Sequence, residues 1–305
     1  MRFRVEAWDP EYGSSREAMP EPTDAPVIID VERDAPAWAP IAATARPPEP
    51  TVLFVDGVRR TEAFGWIDET EPCTFASYAA GIVRCDANAA VVTEYSIGRA
   101  VASNAASLAP INTSCGEFRP ISTRDGTPEQ LNTAIQQAMT ALEVRVSFAA
   151  RGDEPDALLV VDGPLRERRH VPHVVGLVKR HHVRYLGELD SVVAALRPGE
   201  RTPVFELPSQ WGKYSWYLRL PTPGSGAWEG IVRLEAPAEL TPAAVIDLAD
   251  RCSVTIPRFA SQPHKDGRAP QNLYPIGGLE RTLRHRLGDP AFVLRSLRAA
   301  AGQLP

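Results

Sequence analysis

The chain has 305 residues, 44% of them hydrophobic, enough to bury one large core as a single domain or as two. A formal net charge of −5 excludes a protein that coats nucleic acid over its whole surface, because phosphate binding draws on dense Lys and Arg, so any such site must be local. No apolar run reaches the roughly 18 residues of a membrane span, and MRFRVEAWDPEYG has no apolar stretch behind its basic residues, which places the chain in the cytoplasm with no membrane partner.

Residues 1 to 50 mix short apolar stretches with the proline-rich APAWAPIAATARPPEP and read as an N-terminal extension or linker ahead of a main domain, residues 51 to 305. Thr51 to Asp56, TVLFVD, is a continuous apolar run ending in a carboxylate and followed by Gly57, the pattern of a buried strand whose last residue faces a site. Residues 75 to 101 hold two further strands, broken at Asp86, Ala87 and Asn88, where a hairpin turn is expected. From Thr127 to about Ala149 runs the clearest helix, with Thr127 as N-cap, Pro128 in the first turn and Gln130 completing a capping box. Leu131, Ile135, Ala138, Leu142 and Val146 form its apolar stripe, and Glu143 lies at the margin of that stripe, an unusual place for a carboxylate.

Ala157 to Asp162, ALLVVD, repeats the first pattern: a buried strand, an aspartate, then Gly163. Val174 to Val178 and Val183 to Leu186 read as strands, and Trp216 to Leu220 with Gly230 to Leu234 as a hairpin around PTPGSG. Thr241 to Arg251 is a capped amphipathic helix, and Leu279 to Leu287 opens a last helical region. The order is mixed β, then α and β, an α/β fold.

Between Arg166 and Arg184 six Lys or Arg residues, Arg169, Lys179 and Arg180 among them, face a single acid, Glu167. This segment could line a phosphate-binding channel or be a solvated edge. Its four histidines, His170, His173, His181 and His182, have the wrong spacing for a zinc site, with Pro172 interrupting them. The Gly277 and Gly278 pair belongs to no strand-to-helix phosphate loop, so the chain is not expected to hydrolyse ATP. Four cysteines, Cys73, Cys85, Cys115 and Cys252, are scattered without a CxxC pair and read as reduced, partly buried thiols.

The chemistry concentrates in Asp56, Glu143 and Asp162. An Asp-Gly pair taken alone is more often a turn, and it is the combination that points to a site. Three desolvated carboxylates held together repel one another, and a hard divalent cation, Mg²⁺ or Mn²⁺, removes that cost while activating water against phosphodiesters.

With VLFVDGVRR, the helical glutamate, LLVVDGPL, VVGLVKR and PQNLYP in place, residues 50 to 290 resemble the NurA nuclease family. The resemblance implies a ribonuclease-H-like mixed sheet flanked by helices, with additional β elements. It implies that Asp56, Glu143 and Asp162 are the metal ligands; Glu143 stands 19 residues before Asp162, a separation like that of the family. Tyr274, in the YP pair, matches a family tyrosine that would orient the scissile phosphate, and Lys179 resembles a family lysine suited to a phosphate contact. The family's late histidine would fall at Thr282; Glu280, His285 or His264 could stand in for it. NurA proteins act as homodimers around DNA and pair with a HerA-type hexameric ATPase, in double-strand-break resection or defence against foreign DNA. Two other readings share the resemblance: an adaptor that docks on the ATPase without efficient cleavage, and the same chemistry on RNA.

Overall fold

The computed structural model describes residues 16–23, 26–208, 212–221 and 226–302. Its first half is strand-rich: β1 (Arg16–Pro22), β2 (Val52–Ile67), β3 (Glu71–Cys85), β4 (Ala90–Ser103), β5 (Ile111–Thr113) and β6 (Gly116–Ser122), then the long helix α1 (Pro128–Asp153). There follow β7 (Leu158–Asp162), β8 (Val174–Val178), β9 (His181–Arg184), α2 (Asp190–Ala195), β10 (Phe205–Leu207), β11 (Lys213–Arg219) and β12 (Ile231–Pro237). Three helices close the chain, α3 (Pro242–Thr255), α4 (Tyr274–Arg286) and α5 (Pro290–Ala301).

Ten strands form one mixed sheet in the order β10-β11-β12-β8-β7-β2-β3-β4-β6-β5. Around its middle, β2, β3 and β4 follow one another through tight turns, α1 crosses over, and the parallel pair β7 and β8 extends the sheet beyond β2. That is the ribonuclease-H-like arrangement the family resemblance implies, with β10 to β12 and β5 to β6 as additions. No helix among the described residues is long and apolar enough to cross a membrane.

The chain divides into two compact units. The first comprises Met1–Phe54, Arg84–Ala90 and Glu154–Gly277. Its parallel strands are buried along their length, Leu158 to Val161 in β7 and Val174 to Val178 in β8, as a strand covered on both faces requires. Trp38, Val193, Phe205, Leu207, Tyr217 and Ile231 share one apolar cluster. The Trp38 indole N–H is satisfied inside it, donating to the carbonyls of Ile29 and Arg33 at 3.0 Å each. Thr241 caps α3 by accepting the Ala244 N–H, and Val245, Leu248, Ala249 and Cys252 form its buried stripe. Complete burial pushes the Cys252 thiol up to about 12, so it stays an inert protonated side chain at neutral pH.

The second unit comprises Val55–Val83, Val91–Asp153 and Gly278–Pro305. Leu131, Ala134 and Ile135 of α1 pack on Ala76, Ala100 and Ala102, small side chains that let the helix lie close to the sheet. Cys73, Val101 and Phe118 meet Val293 and Leu297 of α5 in a second cluster. One expectation is corrected here: β2 does not end at Asp56 but continues to Ile67. Beyond Gly57 the apolar run gives way to VRRTEAFGWI, in which exposed Arg59, Thr61, Phe64 and Trp66 interrupt buried Val58 and Glu62. A strand that emerges half-way from the core loses the continuous apolar signal without losing its pairing.

Arg201 is 1% exposed and stands at the centre of a buried polar cluster in the first unit. It donates to both oxygens of Glu32 at 2.7 and 2.8 Å and twice to Asp250 Oδ1, at 2.7 and 3.0 Å. Arg201→Ala strands two carboxylates without their cation and is expected to lower stability by about 3–5 kcal/mol, read as a fall in the urea midpoint.

Candidate metal centre

Asp56 is carried into the interior by Val52 to Val55, four side chains that are at most 2% exposed. Asp56 itself is 7% exposed, and its Oδ1 accepts the N–H of Gly57 at 2.7 Å. Asp162 is the last residue of β7, where Gly163 turns the chain at φ +94°, a conformation open to glycine. A second glycine makes that turn possible. A Cβ on Gly176 would stand 2.8 Å from the Leu165 nitrogen and 2.9 Å from the Gly163 carbonyl, so only a bare backbone at 176 lets residues 163 to 165 lie across β8.

Glu280 comes from α4, where Ile276, Leu279 and Leu283 are buried. Standing four residues after Ile276, it shares their inward face and is 6% exposed. Asp56, Asp162 and Glu280 each offer a carboxylate oxygen, and the three oxygens lie within 4.8 Å of one another. Of the three residues considered in place of the late histidine, Glu280 is therefore the one brought to the aspartates, whereas His264 and His285 are exposed.

Glu143 is 7% exposed within the buried stripe of α1. Its carboxylate rests on the backbone of β2: a Cβ on Gly57 would fall 2.4 Å from Glu143 Oε1. Lys179 follows β8 and places its Nζ 2.7 Å from Asp162 Oδ2 and 2.7 Å from Asn272 Oδ1. The Asn272 amide nitrogen in turn donates to Asp266 Oδ2 at 2.6 Å. Neither Asn272 nor Asp266 was visible as a functional residue in the sequence; the PQNLYP segment marked the place without a role for its asparagine. Tyr274 opens α4, 37% exposed, with the Lys265 ammonium 5.3 Å from its ring centre. Arg180 is exposed. Arg169 lies on the turn Arg166–His170, and its side chain falls outside the described part of the structure. His181 is buried, its Nε2 3.1 Å from the Ile231 carbonyl and its ring against Tyr217 and Trp228, a packing environment.

The sequence model of the NurA domain matches residues 50–274. The chain belongs to the NurA family. No curated protein matches it in sequence. Among solved structures, the NurA nuclease from Sulfolobus solfataricus is 12% identical over 88% of this chain and 89% of its own, with a TM-score of 0.49. Human ENDOV is 16% identical over 78% of this chain and 84% of its own, at a TM-score of 0.36. The catalytic domain of human Endonuclease V is 15% identical over 81% and 85%, at 0.35.

In this NurA chain the turn after Asp162 is anchored from beneath by Glu235, which is fully buried and accepts the Leu165 N–H at 3.0 Å. Burial alone would raise its pKa, but Arg233 at 2.7 Å and Lys213 at 2.6 Å, together with the Leu165 N–H, hold it below the usual glutamate value. A carboxylate with a lowered folded pKa contributes stability at neutral pH that is lost as the pH falls through the carboxylate range. Glu235→Gln should thus be less stable than the parent chain at pH 7, the gap narrowing as the pH is lowered toward 4, in urea titrations at both values. Gly57→Ala should force the Glu143 carboxylate aside and cost about 1–3 kcal/mol. Thermal unfolding of Gly57→Ala/Glu143→Ala should show a loss smaller than the sum of the single variants, because the truncated side chain no longer meets the new methyl group.

Proposed function

We propose that this NurA-family chain is a divalent-metal-dependent nuclease that cleaves DNA phosphodiesters at DNA ends. The observation that carries the reading is the convergence of Asp56, Asp162 and Glu280 oxygens within 4.8 Å. The donor set suits Mg²⁺ or Mn²⁺: all its atoms are hard carboxylate oxygens, and ligands around an octahedral ion of this size stand about 3–4 Å apart, a small adjustment away. A bound ion would activate water and neutralise charge developing on the phosphate and the leaving oxygen.

In this reading Asp56, Asp162 and Glu280 hold the metal, with Glu143 a fourth carboxylate contributed by α1 beside Asp56. Lys179 presents its ammonium to the phosphate, and the exposed Arg180 offers a further cation for the DNA backbone, a role the sequence also suggests for Arg169. Tyr274 orients the scissile phosphate. Family membership supports a homodimer working with a HerA-type hexameric ATPase in the cytoplasm, in double-strand-break resection or defence. The nuclease domain would be residues 51 to 305, with residues 1 to 50 as an extension.

The test is degradation of end-labelled linear DNA by the purified chain with Mn²⁺, with Mg²⁺ and without metal, alone and with a HerA-type ATPase. Metal-dependent cleavage is expected, falling at least about 100-fold in Asp56→Ala, Asp162→Ala and Glu280→Ala. Equal inertness of parent and variants under every condition would overturn the nuclease reading in favour of a docking adaptor. Cleavage of RNA in preference to DNA would reassign the substrate.

A further inference from the structure

Lys179 is a flexible four-carbon side chain ending in a compact charge, and nothing in its own covalent structure fixes where that charge stands. Two acceptors fix it here, Asp162 Oδ2 and Asn272 Oδ1, each 2.7 Å from Nζ. The two differ in kind. Asp162 belongs to the acidic cluster, whereas Asn272 is fully buried on the loop that precedes α4 and takes no part in it.

The orientation of the Asn272 amide is determined by its second partner. Asp266 Oδ2, an acceptor only, lies 2.6 Å from Nδ2, so the NH₂ end must face Asp266 and the carbonyl end must face the ammonium. Asp266 is itself held, its Oδ1 accepting the Arg268 N–H at 2.8 Å, and the Asn272 N–H closes the same loop by donating to the Arg268 carbonyl at 2.9 Å. The loop from 266 to 272 is thus knitted to itself, and what it offers outward to Lys179 is one oriented carbonyl oxygen.

We propose that Asn272, with its amide set by Asp266, is a positioning residue for Lys179, confining the ammonium to the place beside Asp162 from which it meets the scissile phosphate. This rests on the nuclease reading for the step it serves. The positional claim stands on the geometry alone. Without Asn272 the ammonium keeps one anchor, Asp162, and swings about it. Without Asp266 the amide loses the partner that keeps its oxygen toward Lys179.

The test compares the parent chain with Asn272→Ala, Asp266→Asn, Lys179→Ala and Asn272→Ala/Lys179→Ala, each first shown folded by circular dichroism and thermal unfolding. On end-labelled DNA with saturating Mn²⁺, Asn272→Ala should lower kcat by about tenfold, the worth of one charge-assisted hydrogen bond, with KM nearly unchanged. Asp266→Asn should show a smaller loss of the same kind. In the Lys179→Ala background Asn272→Ala should cost nothing more, since its effect passes through the lysine. In parallel, acetylation of Lys179 by an amine-selective reagent, read by mass spectrometry without metal or DNA, should be slow in the parent chain and several-fold faster in Asn272→Ala. An equal activity loss in both backgrounds would mean a general structural role and overturn the proposal, as would unchanged kcat in folded Asn272→Ala. A parent chain inert on DNA would overturn the nuclease reading; the acetylation rates would then decide the positional claim by themselves, unchanged rates refuting it.

Discussion

Like charges withdrawn from water repel, and the rest of this fold is organised around a place where that repulsion is accepted. Asp56 and Glu280 are buried and Asp162 nearly so, with their oxygens within 4.8 Å. Each is fixed by an element whose apolar neighbours leave it no other direction: the buried run of β2, the buried run of β7 and the inward stripe of α4. The core contributes the energy that holds three carboxylates where electrostatics alone would separate them. Lys179 answers part of that charge, paired with Asp162.

Backbone without side chains does as much here as side chains. Gly57 leaves room for Glu143 beside the strand, Gly176 leaves room for the turn after Asp162, and Gly163 adopts the positive φ that begins that turn. The same turn is held from below by Glu235, whose two cations make a buried acceptor tolerable. The position of Asp162 is therefore set by a strand, two glycines and the ion triad around buried Glu235 together.

Much of this was legible in the sequence because the signals were local. VLFVDG and LLVVDG read as buried strands carrying aspartates; Thr127 and Pro128 marked the start of α1; the turn at Asp86 and the cap at Thr241 stand where their residue types place them. Glu143 stood out because a carboxylate had no reason to share the stripe of Ile135 and Met139. Glu280 could be named only beside His264 and His285, since burial of one helix face is decided by what packs on it. The length of β2 was missed because its far half lies partly in solvent and carries no apolar run. Asn272 and Asp266 were missed for a different reason: a buried polar chain is a property of where a loop lands, and 93 residues separate Asn272 from the lysine it contacts.

The bidentate contact between Glu32 and Arg201 closes 169 residues of sequence. A chain emerging from the ribosome with its N-terminus first makes Glu32 early and its partner late. Until Arg201 has been synthesised Glu32 lacks the cation that pairs with it in the fold, and until Phe205 and Tyr217 have followed, Trp38 lacks the rings of its folded cluster. The entropy of closing such a span grows only as the logarithm of its length, so the delay is set by translation more than by thermodynamics. Glu32 and Trp38 are in this way held back from their places until partners made well over a hundred residues later have left the ribosome, and the nascent chain carries them exposed for that interval.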